Sequence, residues 1–85
     1  MIKKTRQIRI GTEWKALGDR FSYTITYNPE SFECFSIAIR NKDDSPLEMK
    51  DIWKNYSGYF TLRGAIKYCR MLYGEENIKF KRKNP

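Results

Sequence analysis

The sequence contains no histidine, only two cysteines and no long apolar run. Without histidine the chain has no imidazole base near neutral pH and no standard catalytic triad. No run approaches the roughly 18 apolar residues of a membrane-spanning helix. The first residues are cationic and polar where a secretion signal would be apolar, so we expect no such signal. These absences favour a non-enzymatic protein of the cytoplasm, or of the host cytoplasm if the protein is viral.

The residues that usually hold metals or phosphates are sparse and scattered. Cys34 and Cys69 form no CxxC pair, and we expect them to be small buried thiols, although spacing alone leaves a single disulfide open. The acidic pairs Asp43–Asp44 and Glu75–Glu76 fall in predicted loops, where adjacent acids usually only solvate a turn. The five glycines are too dispersed to cradle a phosphate. We therefore expect no metal, no cofactor and no catalytic residue.

The positive charge is concentrated at the two ends of the chain. Residues 1–9 and residues 79–83 each hold four cations and no acid, whereas residues 10–78 hold nine basic and ten acidic side chains. The formal net charge is +7, and a concentrated cationic patch attracts phosphate or an acidic partner. We treat residues 1–85 as one domain with basic ends at 1–5 and 82–85. A shared cationic surface and a pair of frayed, solvated termini both remain open.

Alternating apolar and polar residues predict an N-terminal hairpin. Residues 6–17 alternate, with Gly11 as a bulge or bend, and Phe21–Tyr27 alternates as well. Gly18-Asp19 between them fits a two-residue type II′ turn, because glycine tolerates positive φ at its first position. The pattern then predicts four facing pairs, Ala16 with Phe21, Trp14 with Tyr23, Thr12 with Ile25 and Ile10 with Tyr27.

A third strand is predicted over Glu33–Arg40, after a turn at Asn28–Ser31. A five-residue connection or a bulge keeps its apolar residues on the same face as those of the second strand, whereas a four-residue loop would expose them. The predicted facing pairs are Ile25 with Phe35, Tyr23 with Ile37 and Phe21 with Ile39.

Two helices and a last strand follow. Ser45-Pro46-Leu47-Glu48 reads as a capping box, and it predicts a short helix to about Asn55. The apolar stripe of this helix would be Met49, Ile52, Trp53 and Tyr56. Thr61 is the predicted N-cap of a second helix that runs through Tyr73, with Gly74 after its end. Ile78 and Phe80 alternate with lysines and predict a short final strand.

The sequence therefore predicts an α+β fold. It is a small antiparallel sheet, made of a three-stranded β-meander and a short C-terminal strand, covered on one face by one short and one longer helix. The meander and the helix opened by Phe60-Thr61-Leu62 resemble, in order of elements over residues 12–73, the arm-type DNA-binding domains of phage integrases. Those domains lay a three-stranded sheet in the major groove. The short helix departs from that order, and the resemblance implies a fold without a function.

The leading functional hypothesis is a small nucleic-acid-binding module with low sequence specificity. On the second helix, three cations recur at i, i+4 and i+7 with no acid between residues 61 and 74. If the first and last strands are neighbours, the cations of the two ends would converge on one surface of the sheet. The residues expected to contact phosphates are Arg6, Arg9, Arg63, Lys67, Arg70, Lys79, Lys81, Arg82 and Lys83.

The alternative hypothesis is a protein-interaction module, such as a phage accessory protein or a regulatory inhibitor that docks on an acidic surface. The chain resembles small phage accessory proteins in its size and its lack of catalytic equipment. Such a module needs a compact apolar hot spot, and the candidates are Trp53, Tyr56, Tyr59 and Phe60. Exposed rings beside cations would also suit base stacking, for which Tyr56, Tyr59 and Tyr68 are the candidates.

Overall fold

A computed structural model describes residues 8–52 and 58–85 of the chain. Its elements in chain order are β1 (Glu13–Leu17), β2 (Phe21–Tyr27), β3 (Phe35–Asn41), α1 (Met49–Ile52), β4 (Gly58–Tyr59), α2 (Leu62–Leu72) and β5 (Lys81–Lys83). The strands form one antiparallel sheet in the order β4-β3-β2-β1-β5. The predicted α+β fold is confirmed, and the sheet has five strands because the two-residue β4 pairs with β3.

One face of the sheet builds the core together with α2. The helix packs on this face with Ala65 and Cys69, both fully buried. The sheet contributes the large apolar side chains Trp14, Phe21, Tyr23, Ile25, Phe35, Ile37 and Ile39. Their alternation along the strands matches the predicted inner face, and the intervening polar side chains lie on the opposite face. We call that opposite face the outer face of the sheet.

The predicted register of the first hairpin is wrong by two residues. Trp14 lies opposite Ile25, and Ala16 lies opposite Tyr23. The Gly18 N–H donates to the Phe21 carbonyl at 2.9 Å, so the two turn residues are Asp19 and Arg20. Because a slip of two residues leaves every side chain on its original face, the apolar pattern does not distinguish the two registers. Gly18 has no positive φ, which also rules out the predicted type II′ turn.

The register between β2 and β3 shows the same two-residue difference. Tyr23 lies opposite Ile39 and Ile25 opposite Ile37, while Phe35 pairs with Tyr27. The connection spans residues 28–34 rather than five residues. Two hydrogen bonds hold this longer loop: the Asn28 N–H donates to the Cys34 carbonyl at 2.8 Å, and the Asn28 Oδ1 accepts from the Glu30 N–H at 3.0 Å.

The N-terminal strand is shorter than predicted. The chain turns at Arg9–Thr12, where the Thr12 N–H donates to the Arg9 carbonyl at 3.0 Å and Gly11 has φ +89°. A positive φ at the third position of a turn favours glycine. The Gly11 N–H and the Thr12 carbonyl both bond the backbone of Tyr27, so the predicted bend at Gly11 is confirmed. Ile10 is consequently exposed rather than paired with Tyr27 on the inner face.

The short helix α1 does not pack as its sequence predicts. It begins at Met49, and Ser45 instead bonds the Asp43 carboxylate through its N–H and hydroxyl. Met49 is 83% exposed and Ile52 is also exposed, whereas the buried residue of the helix is Asp51. Tyr73 donates to the Oδ1 of Asp51 at 2.6 Å. A hydrogen bond from Tyr73 to Asp51 therefore anchors α1, and two members of the predicted stripe, Met49 and Ile52, are exposed. The other two members, Trp53 and Tyr56, lie outside the described residues.

The second helix agrees closely with the sequence. The Thr61 hydroxyl accepts from the Gly64 N–H at 3.0 Å, as expected of an N-cap residue. Tyr73 is the C-cap, and Gly74 follows with φ +70°. The last strand is displaced from its predicted position, since β5 covers Lys81–Lys83 while Ile78 is buried in the preceding turn. None of the described helices is long and apolar enough to cross a membrane.

Candidate nucleic-acid interface

The pairing of β1 with β5 brings lysines together on the outer face of the sheet. Lys81 lies directly opposite Lys15, and Lys83 lies opposite Glu13. Directly opposite residues of an antiparallel pair project to the same face, with Cβ atoms about 4.5–5.5 Å apart. Lys79, just before β5, lines the same groove as Lys15 and Lys81. We call these four residues, Lys15, Lys79, Lys81 and Lys83, the lysine face.

Among the described residues, one carboxylate, that of Glu13, forms an ion pair with a lysine of the lysine face. The Nζ of Lys15 is 3.7 Å from the Oε1 of Glu13, and this ion pair is largely solvent-exposed. Glu13 also lies opposite Lys83 in the β1–β5 register. Like charges directly opposite each other destabilise a strand pair. The lysine face thus carries an excess of positive charge that the protein itself only partly balances.

The lysine face borders an open groove of about 1330 Å³ on the outer face of the sheet. One wall is the segment 73–79, and the floor includes the hydroxyl side chains of Ser22, Thr24 and Thr26 together with the cation Arg40. The groove also contains acids, contributed mainly by the β1–β2 turn and by the segment 73–79. The lining thus holds five carboxylates and four cations, of which Lys81 lies in β5 and Lys79 just before it, and the hydroxyl donors lie on β2.

Two side chains fix the wall of the groove to the rest of the fold. The Glu75 carboxylate accepts from the Asp19 N–H and from the Tyr23 hydroxyl. The Nε of Arg70 donates to the Ile78 carbonyl at 3.2 Å. Burial, reinforced by the Glu75 carboxylate, raises the pKa of Tyr23 well above the ordinary range, so this hydroxyl remains a donor at neutral pH. Arg70 therefore has a structural partner, although it was expected among the phosphate contacts.

The helix cations lie on the other side of the molecule from the lysine face. Arg63 and Lys67 are exposed on α2, whose buried side packs on the inner face of the sheet. Lys81 and Lys83 share the outer face with Lys15 and Glu13. The cations predicted to contact phosphates are consequently divided between two surfaces on opposite faces of the domain.

The remaining terminal cations differ from one another. Arg82 lies on the inner side of β5, opposite Trp14, with its guanidinium carbon 5.9 Å from the Trp14 ring centroid. It packs on an aromatic ring and does not share the surface of its lysine neighbours. Arg9 is exposed in the turn at Arg9–Thr12, and a Cβ at Gly11 in that turn would contact Pro85, so the C-terminal residue lies beside this turn. Arg6 lies outside the described residues.

The aromatic candidates are arranged differently from the sequence prediction. The rings of Tyr59 and Tyr68 lie 5.1 Å apart, half-buried against the core, so neither offers a free stacking surface. Phe60 is exposed, and it contacts Phe32, which no sequence pattern singled out. Arg40 was missed as a candidate, and Lys15, although it flanks the predicted polar face of the sheet, was not among the predicted phosphate contacts. Alternation marks a polar face without showing which of its cations meet across strands.

Within residues 8–52 and 58–85, the acidic side chains and the cysteines form neither a metal site nor a disulfide. No three metal-ligating side chains are placed there to hold an ion. Cys34 and Cys69 are free thiols, the first half-buried and the second buried. The chain matches no protein-family model, no curated protein and no solved structure.

Proposed function

We propose that the protein binds nucleic acid by contacting phosphates with the lysine face. The observation that carries this proposal is the position of Lys81 directly opposite Lys15 on the outer face of the sheet. Lys83 and Lys79 extend the same positive surface along β5 and the groove. Binding would take place in the cytoplasm, where two free thiols remain reduced.

The charge arrangement supports an anionic ligand with repeated charges. Two lysines that face each other repel, and a phosphate between them would turn this repulsion into two favourable contacts. Successive phosphates of a nucleic-acid backbone supply such charges at regular spacing. The hydroxyls of Thr24 and Thr26 on the neighbouring strand are further donors to phosphate oxygens.

Low sequence specificity is expected from the same side chains. Lysine ammonium groups act as mobile point charges and lack the planar fork with which arginine reads a guanine edge. Contacts to phosphates position a protein on nucleic acid without reading its sequence. The protein would therefore recognise the phosphate backbone of its ligand and not the base sequence, and its affinity should fall steeply as the salt concentration rises.

The test is fluorescence anisotropy with a labelled 20-base-pair duplex at several salt concentrations. The variant Lys15→Ala/Lys81→Ala removes the facing pair, and Arg63→Ala/Lys67→Ala removes the same charge from the opposite face. We expect the first variant to reduce the log–log salt slope by about 1.8, or roughly 0.9 per lost phosphate contact. The second variant should leave the slope for the duplex nearly unchanged. Equal effects of the two variants would contradict an interface at the lysine face.

A further inference from the structure

Two phenylalanine side chains contact each other on the surface of the domain. The ring centroids of Phe32 and Phe60 are 5.2 Å apart and the ring planes are at 82°. Phe32 is 87% exposed and Phe60 is 60% exposed, so the contact leaves most of both rings in solvent. We call Phe32 and Phe60 the aromatic pair. Single exposed apolar residues are ordinary, but two exposed rings in contact form a preformed apolar surface.

Backbone pairing at the edge of the sheet supports the aromatic pair. Phe60 directly follows β4, and β4 pairs with the beginning of β3, where Tyr59 lies opposite Phe35. Phe32 belongs to the loop that leads into the same end of β3, and the side chain of Glu33 in this loop lies against Gly58 of β4. Both rings are therefore carried by segments that the β3–β4 pair holds together.

Charges on the two sides of the aromatic pair differ in sign. The N-cap of α2, Thr61, follows Phe60 immediately, and the exposed cations Arg63 and Lys67 lie on the first two turns of that helix. No acid occurs in α2. On the loop side, Glu30 and Glu33 are exposed next to Phe32. A ligand with an anionic backbone and flat apolar rings would be complementary to this surface if its backbone followed the helix side.

We infer that the aromatic pair binds unpaired bases of a single-stranded nucleic acid by stacking, with Arg63 and Lys67 on the adjacent phosphates. This inference rests on the proposed function for the class of ligand, but it uses a surface separate from the lysine face. Bases in a duplex are already stacked on their neighbours, so exposed protein rings can stack only on a strand whose bases are free. Stacking on an aromatic ring tolerates every base, in keeping with low sequence specificity.

The experiment compares three labelled ligands at low salt: a 12-residue oligothymidylate, a 12-residue strand of abasic sites and a 12-base-pair duplex. The abasic strand retains the phosphates and lacks the bases, so the difference between the single strands reports stacking. We expect Phe32→Ala to weaken oligothymidylate binding about 5-fold to 150-fold, the range for one stacked base, and to leave duplex binding unchanged. Phe60→Ala should also weaken oligothymidylate binding. Phe32→Tyr keeps an aromatic ring, and its affinity for oligothymidylate should match that of the unmodified protein.

The controls separate stacking from a loss of structure and from charge. Met71→Ala removes another exposed apolar side chain, on α2, and should change none of the three affinities. Arg63→Ala/Lys67→Ala should weaken both single strands and spare the duplex. Circular dichroism of each variant verifies that the fold is retained.

The outcomes distinguish the two proposals. Equal affinity of the unmodified protein for the abasic strand and oligothymidylate would overturn stacking while leaving phosphate binding intact. Loss of duplex binding in Phe32→Ala would also overturn it, since the aromatic pair would then not be specific for free bases. If the protein binds none of the three ligands, the proposed function and this inference both fail, and the aromatic pair becomes a candidate surface for a protein partner.

Discussion

The hydroxyl of Tyr23, in the middle of β2, donates a hydrogen bond to the carboxylate of Glu75, in the segment after α2. The same carboxylate accepts from the Asp19 N–H in the β1–β2 turn. One side chain thus joins the central strand, the first turn and the wall of the groove. Tyr23 is fully buried on its strand, and Glu75 is half-buried.

We expect Tyr23→Phe to lower the free energy of unfolding by about 1–3 kcal/mol, the usual cost of leaving a partly buried charged acceptor without its donor. Urea unfolding followed by tryptophan fluorescence measures the change. Tyr27→Phe is the matched control, because the described residues make no hydrogen bond to its hydroxyl and its ring packs on Phe35. Equal effects of the two substitutions would show that the Tyr23–Glu75 bond contributes nothing.

The second prediction concerns Gly18, whose missing Cβ leaves room for the Glu75 carboxylate. Gly18→Ala should displace that flexible carboxylate from its two donors and cost about 1–3 kcal/mol. In a double-mutant cycle the cost of Gly18→Ala should largely vanish in a Glu75→Ala background, because the displaced group is already absent. A cost that persists in that background would instead place the requirement in the backbone of the turn.

Alkaline pH should unfold the protein through groups whose pKa is raised in the folded state. Burial, aided by the Glu75 and Asp51 carboxylates respectively, raises the pKa of Tyr23 and of Tyr73 above the ordinary value of 10.0. Burial also raises the pKa of the Cys69 thiol from 9.0 to about 12. A raised folded-state pKa contributes stability that is complete below the unfolded value and is lost as the pH rises toward the folded one.

The measurement is the urea midpoint as a function of pH. We expect no loss from these groups below about pH 9, and a progressive fall above it as first Cys69 and then the tyrosines favour the unfolded chain. Tyrosinate absorbance from Tyr23 and Tyr73 should appear together with unfolding. The fall should be shallower in Tyr23→Phe, and a midpoint that stays constant to pH 11 would contradict this linkage.

The sequence predicted the faces of the strands better than their registers. Alternation assigns Trp14, Tyr23 and Ile37 to the inner face in any register that differs by two residues, because the side-chain period of a strand is two. The turn of the observed register donates a hydrogen bond to Glu75, more than fifty residues away, and local pattern carries no information about such a contact. The exposure of Met49 and Ile52 on α1 was missed for a related reason, since Asp51 is buried with a hydrogen bond from Tyr73, which is distant in the sequence.

The candidate site was predictable in composition and not in geometry. The excess of lysine near the C-terminus is visible in the sequence. That these lysines and the cations Arg63 and Lys67 lie on opposite faces of the domain follows from the β1–β5 pairing and from the packing of α2. Phe32 lies in a loop without periodicity, where exposure depends on tertiary contacts. The lysine face and the aromatic pair both form through pairing between strands that are far apart in the sequence, β1 with β5 and β3 with β4.

The fourth prediction compares Trp14 and Met49, two apolar side chains that the sequence pattern places on packed faces. Trp14→Ala removes a buried ring that lies 5.8 Å from the Phe35 ring, and should cost about 2–5 kcal/mol through lost burial and a residual cavity. Met49→Ala alters an exposed position of α1 and should change the free energy of unfolding by less than about 0.5 kcal/mol. Thermal and urea unfolding check both variants, and a large cost for Met49→Ala would restore the apolar packing of α1 that the sequence favoured.

The last prediction separates stability from binding at one position. Lys81→Glu replaces a like-charge pair with an opposite-charge pair across β1 and β5, so it should raise the free energy of unfolding by about 0.2–1 kcal/mol at low salt. The gain should shrink at high salt, because exposed charges are screened. The same substitution removes a phosphate contact and adds a repulsive charge, so duplex binding should weaken. Arg63→Glu, on the opposite face, is the charge-matched control. It should leave duplex affinity much less affected, whereas a variant that is more stable and binds as tightly as the original protein would remove Lys81 from the interface.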